Sequence, residues 1–231
     1  MQRVSTGVRG LDKMLNGGIP AGKIVLVTGP AGTGKTTLAA HFIEAGVRHG
    51  EPGVFITMEE DREKLKADLQ GVGIDLRGFT MLGGNAAELE HWRRKVKANW
   101  QDIIAEIGEV VRANRAKRVA FDSINGMLSM IETPAQRREA LLDLSNAISS
   151  LGCTGILTSE SHGRDELSTW GFEEFVADGV ISIMEIRFEN YFRHAIAIRK
   201  MRGTSHDRSI VAAEITSRGI EVYPDEKVIS A

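Results

Sequence analysis

The stretch Lys23-Ile24-Val25-Leu26-Val27-Thr28-Gly29-Pro30-Ala31-Gly32-Thr33-Gly34-Lys35-Thr36-Thr37-Leu38 decides how the rest of the chain is read. A short apolar, β-branched run leads into a glycine-rich turn, and a helical pattern follows. The turn spells G-x-x-x-x-G-K-T from Gly29 to Thr36. Glycine takes positive φ freely and lets a ligand approach the backbone closely. Successive N–H groups in such a turn form a nest open to anions. The following helix adds its positive N-terminal end. Gly29, Pro30, Ala31, Gly32, Thr33, Gly34, Lys35, Thr36 and Thr37 are therefore the candidate phosphate cradle. In this pattern Lys35 reaches the β- and γ-phosphates and the Thr36 hydroxyl binds Mg²⁺. A strand before and a helix after are the context the motif requires, so a nucleoside triphosphate site is expected.

The whole chain sets wider bounds. Its 231 residues, 42% hydrophobic and 26% charged, suit a globular α/β protein with a real core. A net charge of −2 supplies no basic field to recruit nucleic acid. Cys153 is the only cysteine, which excludes an intramolecular disulfide or a cysteine metal cluster; its apolar setting predicts a buried thiol. The first residues lack the apolar core of a signal peptide. No run approaches the roughly 20 apolar residues of a membrane span. A cytoplasmic protein without membrane association is the expectation.

Residues 5–22 form a lead-in with one short helical piece around Leu11, Met14 and Leu15, closed by Gly17-Gly18. After the glycine-rich turn, Leu38, Phe42, Ile43 and Val47 recur at helical spacing up to His49-Gly50. Residues 53–58 read as a buried strand that runs into Glu59-Glu60, and a helix through Leu65 and Leu69 follows. A short strand is expected over 79–82. Leu89, Trp92, Val96, Trp100, Ile103, Ile107 and Val110 then predict one long amphipathic helix, or two with a break near Asn99. The tryptophans read as core packing rather than a platform for bases. Residues 118–123 are a strand ending in a carboxylate. Thr133-Pro134-Ala135-Gln136 is a capping box with proline at the first helical position, opening a helix with Leu141, Leu144, Ile148 and Leu151 on one face. Residues 153–159 form the next strand. This alternation predicts a parallel sheet covered on both faces. From 180 onward the pattern is strands alone, about 180–185, 194–201, 209–215 and 219–223, expected as antiparallel additions at one edge. With no repeat or linker, residues 1–231 are read as a single domain.

Hydrolysis of a triphosphate needs a cradle, a metal, a positioned water and compensation of charge on the transferring group. Asp122, closing an apolar strand, is the candidate carboxylate for the Mg²⁺ shell. Glu59 or Glu60 ends a neighbouring strand. In a parallel sheet the carboxyl ends of strands share one ligand-binding edge, so one of the pair can polarise the attacking water. Spacing alone does not choose between them. Ser159 and Glu160 end another strand, as γ-phosphate sensors or as a plain strand-end turn. His41, His49, His91, His162, His194 and His206 show no metal-ligand spacing. The basic run His91-Trp92-Arg93-Arg94-Lys95-Val96-Lys97 reads as a solvated helix face.

Several stretches together resemble the KaiC-like ATPases of the RecA superfamily. They are Ser5-Thr6-Gly7-Val8-Arg9-Gly10-Leu11-Asp12, Gly17-Gly18-Ile19-Pro20-Ala21-Gly22, the phosphate loop, Glu59-Glu60, Phe121-Asp122-Ser123, Gly171-Phe172-Glu173-Glu174-Phe175-Val176-Ala177-Asp178-Gly179-Val180 and Lys200-Met201-Arg202-Gly203-Thr204-Ser205-His206. The resemblance implies a RecA-type fold and a ring, usually a hexamer, with ATP between subunits. It implies that Glu59-Glu60 includes the catalytic base, and that Lys200 and Arg202 act across the interface on the neighbour's nucleotide, with Met201, Thr204 and His206 close to it. The sequence departs from the family's clock members in carrying one such domain rather than two, so clock-type autokinase activity is not expected. Ser161 and Thr169 stand where many relatives carry Arg.

Three functional readings follow. The first is a single-domain ring ATPase that hydrolyses ATP slowly and couples it to a protein partner. The second is a RecA/RadA-like DNA-dependent ATPase, whose DNA loops would be residues 125–133 and 161–171. Neither loop is basic: the second sets Arg164 against Asp165 and Glu166. Since DNA binding needs phosphate neutralisation, no nucleic-acid partner is expected. The third is a nucleotide-gated scaffold with little turnover.

Overall fold

A computed structural model describes residues 2–161, 166–188 and 190–228. The lead-in pairs β1 (Arg3–Val4) with β2 (Ile19–Pro20) around α1 (Arg9–Met14). Its Ser5-Thr6 motif has a structural purpose. The Asp12 carboxylate accepts from Ser5 Oγ at 2.5 Å, Thr6 N at 2.8 Å and Thr6 Oγ1 at 2.7 Å, which folds the chain over α1.

Then come β3 (Ile24–Gly29), α2 (Lys35–Arg48), β4 (Gly53–Thr57), α3 (Arg62–Gly71) and β5 (Phe79–Gly83). Two helices follow, α4 (Ala86–Ala98) and α5 (Trp100–Ala113), so the break falls at Asn99. Asn99 is extended at φ −163° and ψ 107°, ends α4, and accepts from Gln101 N at 3.3 Å as the cap of α5. An asparagine side chain that competes for backbone donors favours such a junction. Trp92 donates to Glu106 at 3.1 Å and Trp100 to Asp143 at 3.0 Å, so both rings pack and bond internally.

Next are β6 (Arg118–Asp122), α6 (Ile124–Leu128), α7 (Pro134–Ser150), β7 (Thr154–Glu160), α8 (Glu173–Val176), β8 (Gly179–Phe188), β9 (Tyr191–Met201), β10 (Val211–Thr216) and β11 (Gly219–Lys227). The capping box forms as expected: Gln136 N donates to Thr133 Oγ1 at 3.3 Å and Thr133 N to Gln136 Oε1 at 3.4 Å.

One sheet of nine strands runs β11-β10-β9-β8-β3-β7-β6-β4-β5. One expectation needs correction. The strand at 180 is not antiparallel: β8 pairs parallel with β3, Val25 opposite Gly179 and Thr28 opposite Ser182. The chain leaves the carboxyl edge after β7 and returns through α8 to the amino edge, so β8 starts where β3 starts. Only β9, β10 and β11 are antiparallel.

The inner parallel strands β3, β4, β6 and β7 are buried on both faces, which their near-continuous apolar runs require, while β5 at the edge is half-buried. On β3, Val25 and Val27 face α2 with Leu38, Phe42 and Ile43. Ile24 and Leu26 face the other layer, with Ile103, Ile107, Leu144 and Ile148. Cys153 is buried there, as expected. Among the described residues no helix is long and apolar enough to cross a membrane.

Candidate active site

The sheet order brings the carboxyl ends of β3, β7, β6 and β4 side by side. The glycine-rich loop, Glu160, Asp122 and Glu59-Glu60 therefore share one edge. Gly34, in the left-handed region at φ 92°, turns the loop into α2. Gly29 is required by space: a Cβ there would lie 2.3 Å from the Ile183 carbonyl oxygen. Thr33 Oγ1 donates to Pro30 O at 2.8 Å and ties the loop across itself.

Lys35 Nζ donates to Gly29 O at 2.9 Å and Pro30 O at 2.8 Å. Burial pulls its pKa down, and the charges of Glu160, Asp122 and Glu59 oppose that. The ammonium thus faces three carboxylates. Asp122 lies deeper. It accepts from Thr36 Oγ1 at 3.0 Å and from Thr158 Oγ1. Desolvation pushes its pKa up, against those two hydrogen bonds and the Lys35 charge. A desolvated carboxylate bonded to the Thr36 hydroxyl is a donor pair that a hard cation fits. Among the described residues no cluster of three or more His, Cys, Asp or Glu could hold a metal alone. Thr36 and Asp122 could hold a hard cation whose remaining positions are filled by ligand oxygens and water rather than by a protein cage.

The two glutamates part company just beyond β4. Glu59 Oε1 accepts from Ser123 Oγ at 2.9 Å, at the end of β6. Its carboxyl is raised by desolvation, then by Asp122 and Glu160, while Ser123 and Lys35 lower it. Glu60 turns to α3 and pairs with Lys64 at 3.1 Å. Gly126 makes room for Glu59: a Cβ there would sit 3.0 Å from Glu59 Cγ. The Ser159 hydroxyl is buried and donates to Glu160 O at 3.3 Å, whereas Glu160 is near enough to Lys35 to act on it. Asn125 and Thr169 brace Glu160. Asn125 Oδ1 accepts from Glu160 N at 3.0 Å, and Thr169 Oγ1 donates to Glu160 O at 3.0 Å.

Sequence reading missed Ser123, Asn125, Gly126 and Thr158 as parts of this site. Thr158 joins the site only through the β6–β7 register, in which Phe121 is opposite Leu157 and Thr158 therefore stands beside Asp122. Ile215 and Ile220 were also missed. Their Cδ1 atoms stand 3.2 Å and 3.4 Å from where a Gly34 Cβ would be, an apolar wall beside the cradle.

Lys200, Met201, Arg202, Thr204 and His206 are elsewhere. Met201 pairs with Gly179, and Gly179 with Val25. Those residues mark the amino edge of the sheet, some four strand residues from Gly29, or about 13 Å. Lys200 Nζ donates to Glu174 O at 2.8 Å and Ala177 O at 2.6 Å, and Arg202 Nη2 to Phe175 O at 3.1 Å. Desolvation, then the Arg202 charge, lowers the Lys200 pKa. The two cations lie together against α8. Met201, between them in sequence, turns into the core beneath Gly179. Thr204 accepts from Arg3, and His206 Nδ1 lies 2.9 Å from Asp207 O. In the family-like run, Glu173 is wholly buried and accepts from Trp170 N and Phe172 N, which shapes the approach to α8.

The first part of the first loop considered for DNA, residues 125–128, lies in α6, whose residues are all buried. In the second, His162, Arg164 and Asp165 lie outside the described residues. The basic run on α4 is a solvated face as expected, with Arg93 and Arg94 exposed and Lys95 paired to Glu106 at 2.7 Å.

Comparison with known proteins agrees with this geometry. The family described as "ATPase: KaiC" matches residues 4–227. The UPF0273 protein of Methanopyrus kandleri is 34% identical, covering 98% of this chain and 94% of its own. The UPF0273 protein of Thermotoga maritima is 33% identical over 98% of each. Circadian clock protein KaiC3 of Synechocystis is 33% identical over 97% of this chain, which corresponds to 46% of that protein. The crystal structure of a KaiC-like protein from Pyrococcus horikoshii superposes with a TM-score of 0.84 at 36% identity, covering 96% of this chain and 99% of the other. The RecA-type sheet, the phosphate loop with its half-buried aspartate, and a family match across nearly the full length lead to one assignment: this chain belongs to the KaiC ATPase family.

Proposed function

We propose that the chain is a Mg²⁺-dependent ATPase that works slowly, as a closed cytoplasmic ring, usually of six, with each site completed by the adjacent protomer. One observation carries this reading. The carboxyl edge gathers Lys35, Thr36, Asp122 and Glu59, while the paired cations Lys200 and Arg202 occupy the amino edge. They are too far to serve their own chain's cradle. A head-to-tail contact places one chain's amino edge on the next chain's carboxyl edge, and such a heterologous contact closes into a ring.

Bound MgATP supplies a phosphoryl group for transfer to water. The loop amides and Lys35 would hold the triphosphate, and Thr36 with Asp122 would hold the metal. Glu59, rather than Glu60, is the general base: it faces the cradle, and its raised pKa makes it the better proton acceptor. Lys200 and Arg202 of the preceding protomer add positive charge that offsets what develops on the phosphoryl group. Thr204 and His206 approach the same nucleotide from the loop after β9, and Met201 supports that loop from the core. Ile215 and Ile220 offer the base an apolar wall. The nucleotide state is passed to a protein partner, and no nucleic-acid partner is proposed.

The test is complementation. Arg202→Ala and Lys35→Ala chains, each inactive alone, are mixed. Shared sites regain activity at junctions where an intact loop meets an intact Arg202. No recovery despite proven subunit exchange rejects the reading.

A further inference from the structure

Residues 202–207 carry Arg202 toward the neighbour, yet no strand of the sheet holds them beyond Arg202 N, which donates to Asp178 O at 2.9 Å. Arg202 itself also donates through Nη2 to Phe175 O at 3.1 Å and lies 3.9 Å from Asp178 Oδ1. The long-range bonds of residues 203–207 come from the far end of the chain. Arg3 donates through Nη2 to Thr204 Oγ1. Asn16 Nδ2 donates to Ser205 O at 3.0 Å, and Asp207 N donates to Met14 O at 2.9 Å. Arg3 is itself anchored, with Nη1 donating to Leu15 O at 2.9 Å and Gly18 O at 3.1 Å. The guanidinium fork therefore joins three acceptors, which a lysine ammonium on its flexible stem does not reproduce. Asn16 holds φ at 54°, a left-handed position that asparagine tolerates better than most residues and that aims its amide at the loop.

The same lead-in rests on the helix that begins at the phosphate cradle. Arg118 Nη1 donates to both Ser5 O at 2.7 Å and Phe42 O at 2.8 Å, which bonds the lead-in backbone to that of α2. Gly7 lies so close that a Cβ would be 2.5 Å from His41 O. One short segment thus touches the chain's own phosphate helix on one side and, on the other, the loop offered to the neighbour.

We propose that Arg3 and Asn16 are positioning residues for the active site of the adjacent protomer, and that the lead-in couples successive sites around the ring. Arg3 and Asn16 act through the 202–207 loop, setting where Arg202 presents its charge. This rests on the shared-site reading above.

The test uses Arg3→Ala, Arg3→Lys and Asn16→Gly in the full chain, with ring assembly and melting checked first. Asn16→Gly allows the left-handed backbone and removes the side chain that carries the amide. A displacement of order 1 Å costs up to ~10² in rate. We expect a fall in kcat of about tenfold for both Arg3 variants and about threefold for Asn16→Gly, with KM moving less than about threefold. The deciding measurement is directional. Each variant is mixed with excess Lys35→Ala chains, whose lead-in and loop are intact. Every intact phosphate loop of the variant then faces an unaltered neighbour, and its activity returns to the wild-type level. If Arg202→Ala recovers with Lys35→Ala but the Arg3 and Asn16 variants do not, the lead-in acts within its own protomer and this proposal is overturned while the shared site stands. If no mixture recovers, both fall. Wild-type kcat in Arg3→Ala and Asn16→Gly alone also overturns it.

Discussion

Glu59→Gln tests the chemistry at its centre. The amide keeps the side chain's volume and can still accept from Ser123 Oγ, now 2.9 Å from Oε1, so the local packing survives. It removes one of three negative charges facing Lys35, so nucleotide binding is retained or strengthened. What it loses is a proton acceptor. Removing a positioned base costs ~10²–10⁴ in rate, and the lower bound corresponds to about 2.7 kcal/mol of barrier. Glu60→Gln breaks only the pair with Lys64, whose side chain is 69% exposed. Such exposed helix-surface pairs contribute little to stability, and because Glu60 is turned to α3, kcat should stay within about twofold. Single-turnover phosphate release at saturating MgATP, with nucleotide affinity by calorimetry, separates the variants. The double variant should behave as Glu59→Gln does. The pH profile adds a second reading. A base must be ionised, so kcat falls as pH drops through the pKa of Glu59, which desolvation raises above its ordinary value. Glu60→Gln keeps that acid limb. Near-normal turnover in Glu59→Gln, with the loss appearing in Glu60→Gln, would refute the assignment.

Two further outcomes follow from the same edge. Asp122→Asn should abolish Mg²⁺-dependent turnover yet raise the melting temperature of nucleotide-free protein at neutral pH. A carboxyl whose folded pKa lies above its unfolded value costs stability as pH rises between the two, and desolvation places Asp122 in that class. The gain should vanish below the ordinary carboxylate range, and melting scans at acidic and neutral pH check the difference. Lys35→Ala should lose tight ATP binding, because Lys35 is the only cation in the phosphate loop. Affinity unchanged within about twofold would remove Lys35 from the cradle.

Much of this protein was legible before any coordinates. The phosphate loop, the alternation of strands and helices, the Thr133 cap and the carboxylate closing the 118–122 strand are local patterns, dictated by backbone preference and by the period at which apolar side chains recur. Local pattern left open one long helix or two with a break near Asn99, and the structure has the break, since the asparagine satisfies backbone donors of the next helix and ends the one before it. Strand order and direction are different in kind. Whether β8 lies parallel to β3 depends on which edge the chain reaches after β7, and no residue of β8 encodes that return. The choice between Glu59 and Glu60 likewise rests on Ser123 and Gly126 from β6 and α6 on one side and Lys64 on the other. Adjacent carboxylates look alike in a sequence because they share composition and spacing. They become different when packing desolvates one beside Lys35 and leaves the other paired at the surface of α3. The same holds for Lys200 and Arg202. The motif marks them, but only the sheet shows that they stand at the edge opposite their own phosphate loop, because position across a sheet is set by long-range pairing rather than by neighbours in the chain.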